Sequence, residues 1–240
     1  PPRRESKVGF GHRGFEILSD PWMSPEEAAG RRDFTINAMA LDPATEGVID
    51  PFGGRQDLAL GILRHTTERF IEDPLRVLRG MQLVSRFRLT PSPETVALCR
   101  TLFQEYATLS VERIWGEWEK WASRSIQPSL GLRFLAETEW LTAYPELVAL
   151  QGCPQDPDSH PEGDVWLHTL LVVDEAAFIA ERDRLSGRGR AVLIFAALCH
   201  DLGKPETTAF LDGHIRSYGH SDRVDIVERF LARLGSPKDL

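Results

Sequence analysis

Residues 151–163 constrain the fold of this chain more than any other segment. They hold Pro154, Pro157 and Pro161 together with Gly152, Gly163 and turn-forming Asp156, Asp158 and Ser159. Proline removes a backbone donor and glycine frees the dihedrals, so no periodic apolar face survives there. A chain of 240 residues has room for one large or two modest domains. The break is therefore read as a linker, with a body before it and a further unit from residue 164 to 240, expected to be incomplete at its C-terminal end.

Ahead of the linker the pattern changes once more. Residues 1–67 read as mixed α/β. Val8 to Phe10 and Phe15 to Leu18 flank Gly11-His12-Arg13-Gly14, which suits two strands around a turn. Ser24-Pro25-Glu26-Glu27 starts a helix, with Ser as cap, Pro in the first turn and Glu three residues on. That helix is expected to run through Arg31-Arg32-Asp33. Short strands are expected at Val48-Ile49-Asp50 and Ile62-Leu63-Arg64, joined by Pro51-Phe52-Gly53-Gly54 and a short helix. Residues 68–150 read as wholly helical. Leu75, Leu78, Met81 and Val84 recur at a spacing of three, and Ser110 to Ala122 forms another helix. Its Trp115, Trp118 and Trp121 are most simply core residues, with base stacking as the alternative. The fold class is α+β and mostly α-helical.

Charge and composition narrow the function. No run of 18 apolar residues exists, so no membrane span is expected, and no signal peptide is read. The chain begins without Met and is expected to lack its natural N-terminus. Cys99, Cys153 and Cys199 are odd in number and scattered, which points to reduced thiols and a cytoplasmic setting. The net charge of −8 disfavours indiscriminate nucleic-acid binding. It is unevenly spread, however: residues 1–125 carry 17 basic against 18 acidic side chains, and residues 126–240 carry 11 against 18. An RNA-facing surface belongs in the first half, although ordinary surface scatter explains such small counts equally well.

Three segments of that half carry recognisable chemistry. Arg31, Arg32, Asp33 and Asn37 place two guanidiniums, a carboxylate and a carboxamide within seven residues. A guanidinium donates a planar fork to phosphate, and Asp or Asn bonds a ribose. On spacing alone a surface helix with an Arg–Asp pair is the simpler reading. In Asp50-Pro51-Phe52-Gly53-Gly54-Arg55-Gln56-Asp57, with Arg64 beyond, two glycines allow a tight turn or a close backbone approach to a ligand, and taken alone the segment reads as a good loop. In Glu72-Asp73-Pro74-Leu75-Arg76-Val77-Leu78-Arg79, the residues Asp73, Arg76 and Arg79 step by three along one helix flank. A carboxylate and a guanidinium held at fixed separation can imitate a Watson–Crick edge. Equally, Asp73 can cap the helix and Arg76 can pair with Glu72.

These segments closely resemble the motifs of class II tRNA nucleotidyltransferases (CCA-adding enzymes) and bacterial poly(A) polymerases. The string at 31–40 matches the nucleotide-binding motif throughout, and 72–79 matches the Glu-Asp-x-x-Arg-x-x-Arg pattern that selects the incoming base. The resemblance implies that Arg31, Arg32, Asp33 and Asn37 hold the nucleotide, that Asp73 and Arg76 choose the base, and that Arg79 supports them. Residues 50–58 match a turn motif that aids domain geometry. Glu112 to Lys120 match a last, less specific helical motif, in which Arg113 and Glu117 are read as a stabilising pair.

The third unit carries another pattern. His168 lies in one apolar segment, and His200-Asp201 ends another, followed by Leu202-Gly203-Lys204. Two imidazoles and a carboxylate at a buried helix end suit a divalent cation. The set resembles the HD phosphohydrolase superfamily, which implies His168, His200 and Asp201 as metal ligands. Asp222 and Asp225 are candidates for a further ligand, and His214 and His220 for additional ligands or phosphate contacts. On this resemblance 1–67 is the C-terminal part of a nucleotidyltransferase α/β head, 68–150 a helical nucleotide- and tRNA-binding body, 151–163 a linker and 164–240 an all-helical HD domain.

The function so implied is addition of C, A or both to tRNA 3′ ends, with ATP, CTP and tRNA as partners, Mg²⁺ as cofactor and a divalent metal in the HD site. Nucleotidyl transfer needs metal-binding carboxylates. The family draws them from an Asp-x-Asp pair upstream of the first motif, and no such pair precedes Arg31 here. This chain alone is thus expected not to add nucleotides. The alternatives are a poly(A) polymerase, an HD metal-dependent phosphohydrolase with an RNA-binding front half, and an RNA-binding protein without catalysis.

Overall fold

The computed structural model describes residues 22–237 in full, together with the backbone of 3–7 and 15–19. The expected turn at Gly11–Gly14 and the stretch Val8–Phe10 lie outside the described residues. The fold is α+β and mostly helical, with strands that are short and, among the described residues, paired two by two. The chain divides into two compact units, one of residues 1–80 and 89–110, the other of 81–88 and 111–240.

In the first unit β1 (Arg3–Lys7) pairs antiparallel with β2 (Phe15–Ser19). Helix α1 (Pro25–Ala29) starts as its sequence requires, with the Ser24 hydroxyl accepting from the Glu27 amide at 3.1 Å. It does not run on through Arg31 to Asp33. There the main chain is drawn into a bridge: the Thr35 amide donates to the Arg64 carbonyl at 2.9 Å and the Thr66 amide to the Asp33 carbonyl at 3.1 Å. Extended backbone at Phe34 buries its ring completely, edge-on to Phe70 at 5.4 Å. Burial of that ring and two non-local hydrogen bonds outweigh the local helical preference.

A 3₁₀ turn (Thr35–Asn37) then leads to the hairpin of β3 (Ala40–Leu41) and β4 (Val48–Ile49). Helix α2 (Gly54–Leu60) is capped by Asp50, which accepts from the Gly54 amide at 2.7 Å and the Arg55 amide at 2.9 Å. Gly54 is required here, because a Cβ would lie 2.2 Å from the Thr35 carbonyl oxygen. Strand β5 (Ile62–Leu63) follows, then a 3₁₀ turn (Glu68–Glu72) and α3 (Leu75–Phe87). Leu75, Leu78, Met81 and Val84 are all buried, as their spacing predicts. Strand β6 (Thr90–Pro91) runs parallel to β5 and interrupts the otherwise helical 68–150 stretch, before α4 (Pro93–Thr101).

The second unit is built on α5 (Val111–Arg124), α6 (Pro128–Glu137), α7 (Pro145–Val148), α8 (Val165–Arg182) and α9 (Gly187–Cys199). Trp118 and Trp121 are fully buried, and each indole N–H is satisfied, by Tyr144 Oη at 2.9 Å and the Pro128 carbonyl at 3.1 Å. Trp118 packs edge-on to Trp121, Tyr144 and Phe230 at 5.2, 5.0 and 6.0 Å, so these rings are core and none is offered to a base. After α9 come α10 (Lys204–Thr207), β7 (Thr208–Leu211), β8 (His214–Ser217) and α11 (Val224–Leu234). The hairpin departs from the all-helical reading of 164–240. Asp212 and Gly213 both take positive φ, the Asp-Gly turn that joins strands with matching twist. No helix of the described residues is long and apolar enough to cross a membrane.

Gly131 on α6 sits where a Cβ would meet Ser85 Oγ at 2.3 Å and the Met81 carbonyl oxygen at 2.7 Å. Gly131→Ala is expected to lower stability by about 1–3 kcal/mol through overpacking, read as a drop in the urea midpoint. An unchanged midpoint contradicts this packing.

Candidate nucleotide and metal sites

In the first unit Asp33 is the centre of the polar cluster. It is 6% exposed and uses both carboxylate oxygens. Oδ1 accepts from the Phe34 amide at 2.8 Å and from Asn37 Nδ2 at 3.1 Å, and Oδ2 accepts from Arg79 Nε at 2.6 Å. A carboxylate taken out of water needs this many donors. Asp33 and Asn37 are thus brought together as expected, but by a bend and a 3₁₀ turn instead of one helix face.

Arg76 ties the same two motifs by a second route. One terminal nitrogen donates to the Arg69 carbonyl and the other to the Arg31 carbonyl, both at 2.7 Å. Its guanidinium also stands 5.9 Å over the Phe70 ring. Burial lowers the Arg76 pKa, against the raising effect of Asp33, Asp73 and Glu72. Two of its five N–H groups are spent on main chain, and Glu72 pairs with Arg69 at 2.9 Å rather than with Arg76. Asp73 accepts from the Leu75 amide at 3.2 Å, as a helix cap does. Arg32 is exposed.

The turn motif contributes a third brace. Buried Asp57 accepts from Thr35 Oγ1 at 2.7 Å and from Arg64 Nε at 3.3 Å. Residues 31–37, 57–64 and 73–79 therefore converge, although they are distant in sequence. Asp57 and Arg64 were legible only as parts of a loop, since nothing in their spacing names Thr35 as partner.

In the second unit the three residues assigned to a metal come together. His200 Nε2 lies 3.1 Å and His168 Nε2 lies 3.7 Å from Asp201 Oδ2. His220 joins them, with Nε2 3.5 Å from Asp201 Oδ1. Asp201 is 2% exposed. Burial alone would raise its pKa, but the short contacts and positive charge of His200 and Lys204 outweigh it and hold it at about 2. Burial pulls His200 the other way, yet Asp201 leaves its pKa raised.

Each imidazole has its far side occupied. His200 Nδ1 contacts the Ala197 carbonyl at 2.7 Å, His220 Nδ1 the Ser217 carbonyl at 2.7 Å, and His168 Nδ1 a Glu162 carboxylate oxygen at 2.6 Å. Carbonyls and ionised carboxylates only accept, so all three Nδ1 atoms carry the proton. In the neutral rings that leaves three Nε2 lone pairs facing one carboxylate. Asp201 Oδ2 is buried and makes no well-aligned hydrogen bond, although Lys204 Nζ stands 2.8 Å away. A set of lone pairs converging on a carboxylate fits a divalent cation, and His168, His200 and Asp201, with His220, would hold it.

Gly203 makes this geometry accessible, since a Cβ there would lie 2.2 Å from the His220 carbonyl oxygen. The other candidates fall elsewhere. Asp225 pairs with Arg223 at 3.0 Å and Arg229 at 3.3 Å on an exposed face, Asp222 is exposed, and His214 contacts Asp156 at 3.0 Å. The segment read as a linker instead supplies Gln155, which accepts from Lys204 Nζ at 2.8 Å, and the pair His160 and Glu162. A His-x-Glu six residues ahead of another His is the signal that sequence reading passed over.

The chain is similar to known proteins in sequence and in fold. A family model described as the Poly A polymerase head domain matches residues 4–64. The "Multifunctional CCA protein" of Xanthomonas campestris pv. campestris (strain B100) is 46% identical over 213 residues, 85% of this chain and 50% of that protein. That of Nitrosococcus oceani is 40% identical over 243 residues, 98% of this chain and 56% of that protein. Among solved structures, a "tRNA-processing enzyme (apo form 2)" aligns with 98% of this chain and 60% of its own at a TM-score of 0.54 and 20% identity. A "tRNA-processing enzyme with CTP" covers 90% of this chain and 52% of its own at 0.55 and 22%. At such identities these structures speak for the fold alone. The chain belongs to the family of class II CCA-adding enzymes and poly(A) polymerases. It spans about half the length of the curated relatives it matches.

Asp33→Ala removes the acceptor of a nearly buried guanidinium contact. It is expected to destabilise the first unit by about 2–3 kcal/mol, below the ~3–5 of a fully buried pair because Arg79 reaches solvent. A double-mutant cycle with Arg79→Ala checks this: strictly additive losses mean the two side chains are not coupled.

Proposed function

We propose that this chain is the nucleotide-selecting and tRNA-facing part of a tRNA nucleotidyltransferase that adds C, A or both to tRNA 3′ ends. The observation that carries this reading is the convergence of residues 31–37 and 73–79 through Asp33–Arg79 and Arg31–Arg76. Relatives named multifunctional CCA protein at 40–46% identity support it. Exposed Arg32 is the residue for the triphosphate, Arg31 and Asn37 flank it, and Asp33 with Arg79 sets the frame. Asp73 and Arg76 meet the base. ATP, CTP and tRNA are the substrates, Mg²⁺ the cofactor of transfer, and the cytoplasm the setting. The head is assigned to 1–67, the helical body to 68–150 and an HD domain to 164–240.

Transfer itself requires metal-binding carboxylates, and no Asp-x-Asp stands ahead of Arg31 in these 240 residues. The chain is therefore expected to bind CTP or ATP without incorporating either into tRNA that lacks its 3′ end. Calorimetric titration of each nucleotide, with Arg32→Ala beside the unaltered chain, tests the assignment. Removing one phosphate-facing guanidinium is expected to weaken binding roughly tenfold or more, a charge-assisted bond contributing about 1.5–3 kcal/mol. Equal affinities refute the nucleotide assignment, and labelled CTP incorporated by this chain alone refutes the expectation that it does not transfer.

A second activity rests on its own observation, the three Nε2 atoms directed at Asp201. We assign His168, His200 and Asp201 to a divalent cation, which would supply Lewis-acid chemistry for phosphoester hydrolysis. Lys204 holds the Asp201 carboxylate in place from the side of Gln155. His200→Ala is expected to abolish retention of Mn²⁺ or Co²⁺ after gel filtration, measured by elemental analysis. Stoichiometric metal in that variant removes the assignment.

A further inference from the structure

The assigned cation ligands do not explain Glu162 and His160. Both lie in the irregular segment ahead of α8. Glu162 Oε1 stands 2.6 Å from His168 Nδ1 and 3.0 Å from His160 Nδ1, so one oxygen meets two imidazoles. The rings of His160 and His168 meet edge-on at 4.8 Å, and that of His168 continues to His200 at 5.3 Å. Glu162 and His168 are each 21% exposed, which limits competition from water for the contact.

An imidazole has two tautomers, and only the one with a bare Nε2 can ligate a cation from the Asp201 side. His200 and His220 have that tautomer imposed by main-chain carbonyls, Ala197 and Ser217. For His168 the acceptor is a side chain from another segment. Backbone closes the geometry: the Gly163 amide donates to the His160 carbonyl at 3.2 Å, and the Gly163 carbonyl accepts from Gln155 at 3.2 Å. Gln155 in turn receives Lys204, the neighbour of Asp201.

We propose that Glu162 is a positioning residue for the cation site: it holds the proton of His168 on Nδ1 and turns Nε2 toward Asp201, with His160 restraining the same carboxylate oxygen. This deepens the cation assignment above and rests on it. Outer partners of this kind change metal affinity by roughly 10–100-fold when removed.

The test is titration of the full 240-residue chain with Mn²⁺ alone, followed by calorimetry, for the unaltered protein, Glu162→Ala and Glu162→Gln. Imidazole ¹⁵N shifts of His168 are recorded on the same metal-free samples. The expected result is a loss of roughly 10–100-fold in affinity for Glu162→Ala. A mixed tautomer at His168 is expected alongside it. Partial recovery is expected in Glu162→Gln, whose amide oxygen can still accept from Nδ1. Circular dichroism melts confirm that the variants fold, and Glu162→Gln carries the test if Glu162→Ala does not. Mn²⁺ affinity and His168 tautomer both unchanged in the folded variants overturn the positioning role while leaving the cation site standing. An unaltered chain that binds no Mn²⁺ overturns the cation assignment and the proposal with it.

Discussion

A carboxylate removed from water must have its lone pairs used, and this requirement organises the structure around three residues. Asp33 and Asp57 are each 6% exposed and Asp201 is 2% exposed. Desolvation of an unpaired carboxylate costs several kcal/mol, so each one gathers donors, Asp33 and Asp57 from distant parts of the chain and Asp201 from its own helix end. Asp33 recruits Asn37 and Arg79, Asp57 recruits Thr35 and Arg64, and Asp201 recruits His200 and Lys204. The first two thereby join three sequence motifs. The third gathers three imidazole Nε2 atoms around it, the arrangement on which the proposed cation site rests.

This changes how the arginines of the first unit are understood. As a linear pattern, Asp73, Arg76 and Arg79 present a row of recognition groups. In the fold, Arg79 belongs to Asp33, and Arg76 clamps the carbonyls of Arg31 and Arg69. In the proposed role, a base-reading edge built on Arg76 would be held stiffly by the segment assigned to the rest of the nucleotide. Such preorganisation lowers the entropic cost of binding.

Local pattern made much of the architecture legible. The Ser24 cap, the buried spacing of Leu75, Leu78, Met81 and Val84, the tryptophan core of α5 and the Asp164 start of α8 follow from propensity and periodicity. Helix α1 was overestimated, because the bridge between Phe34 and His65 joins residues 31 positions apart. The β7–β8 hairpin was missed, although Asp212-Gly213 marks it, because an apolar and basic run of four residues looks much the same in a helix. Residues 151–163 were read by composition as a spacer, yet irregular backbone can present Gln155, His160 and Glu162 at fixed points.

The sequence by itself determined which chemical groups this protein owns: the guanidiniums and carboxamide near residue 31, the Asp and Arg of the α3 start, and the paired His200 and Asp201. Those follow from residue identity and short spacing. Only the tertiary structure decided which groups are spent on one another. Partnership depends on distance and burial, and contacts such as Arg79 with Asp33 or His220 with Asp201 arise when buried charge must be compensated by whatever the fold brings near.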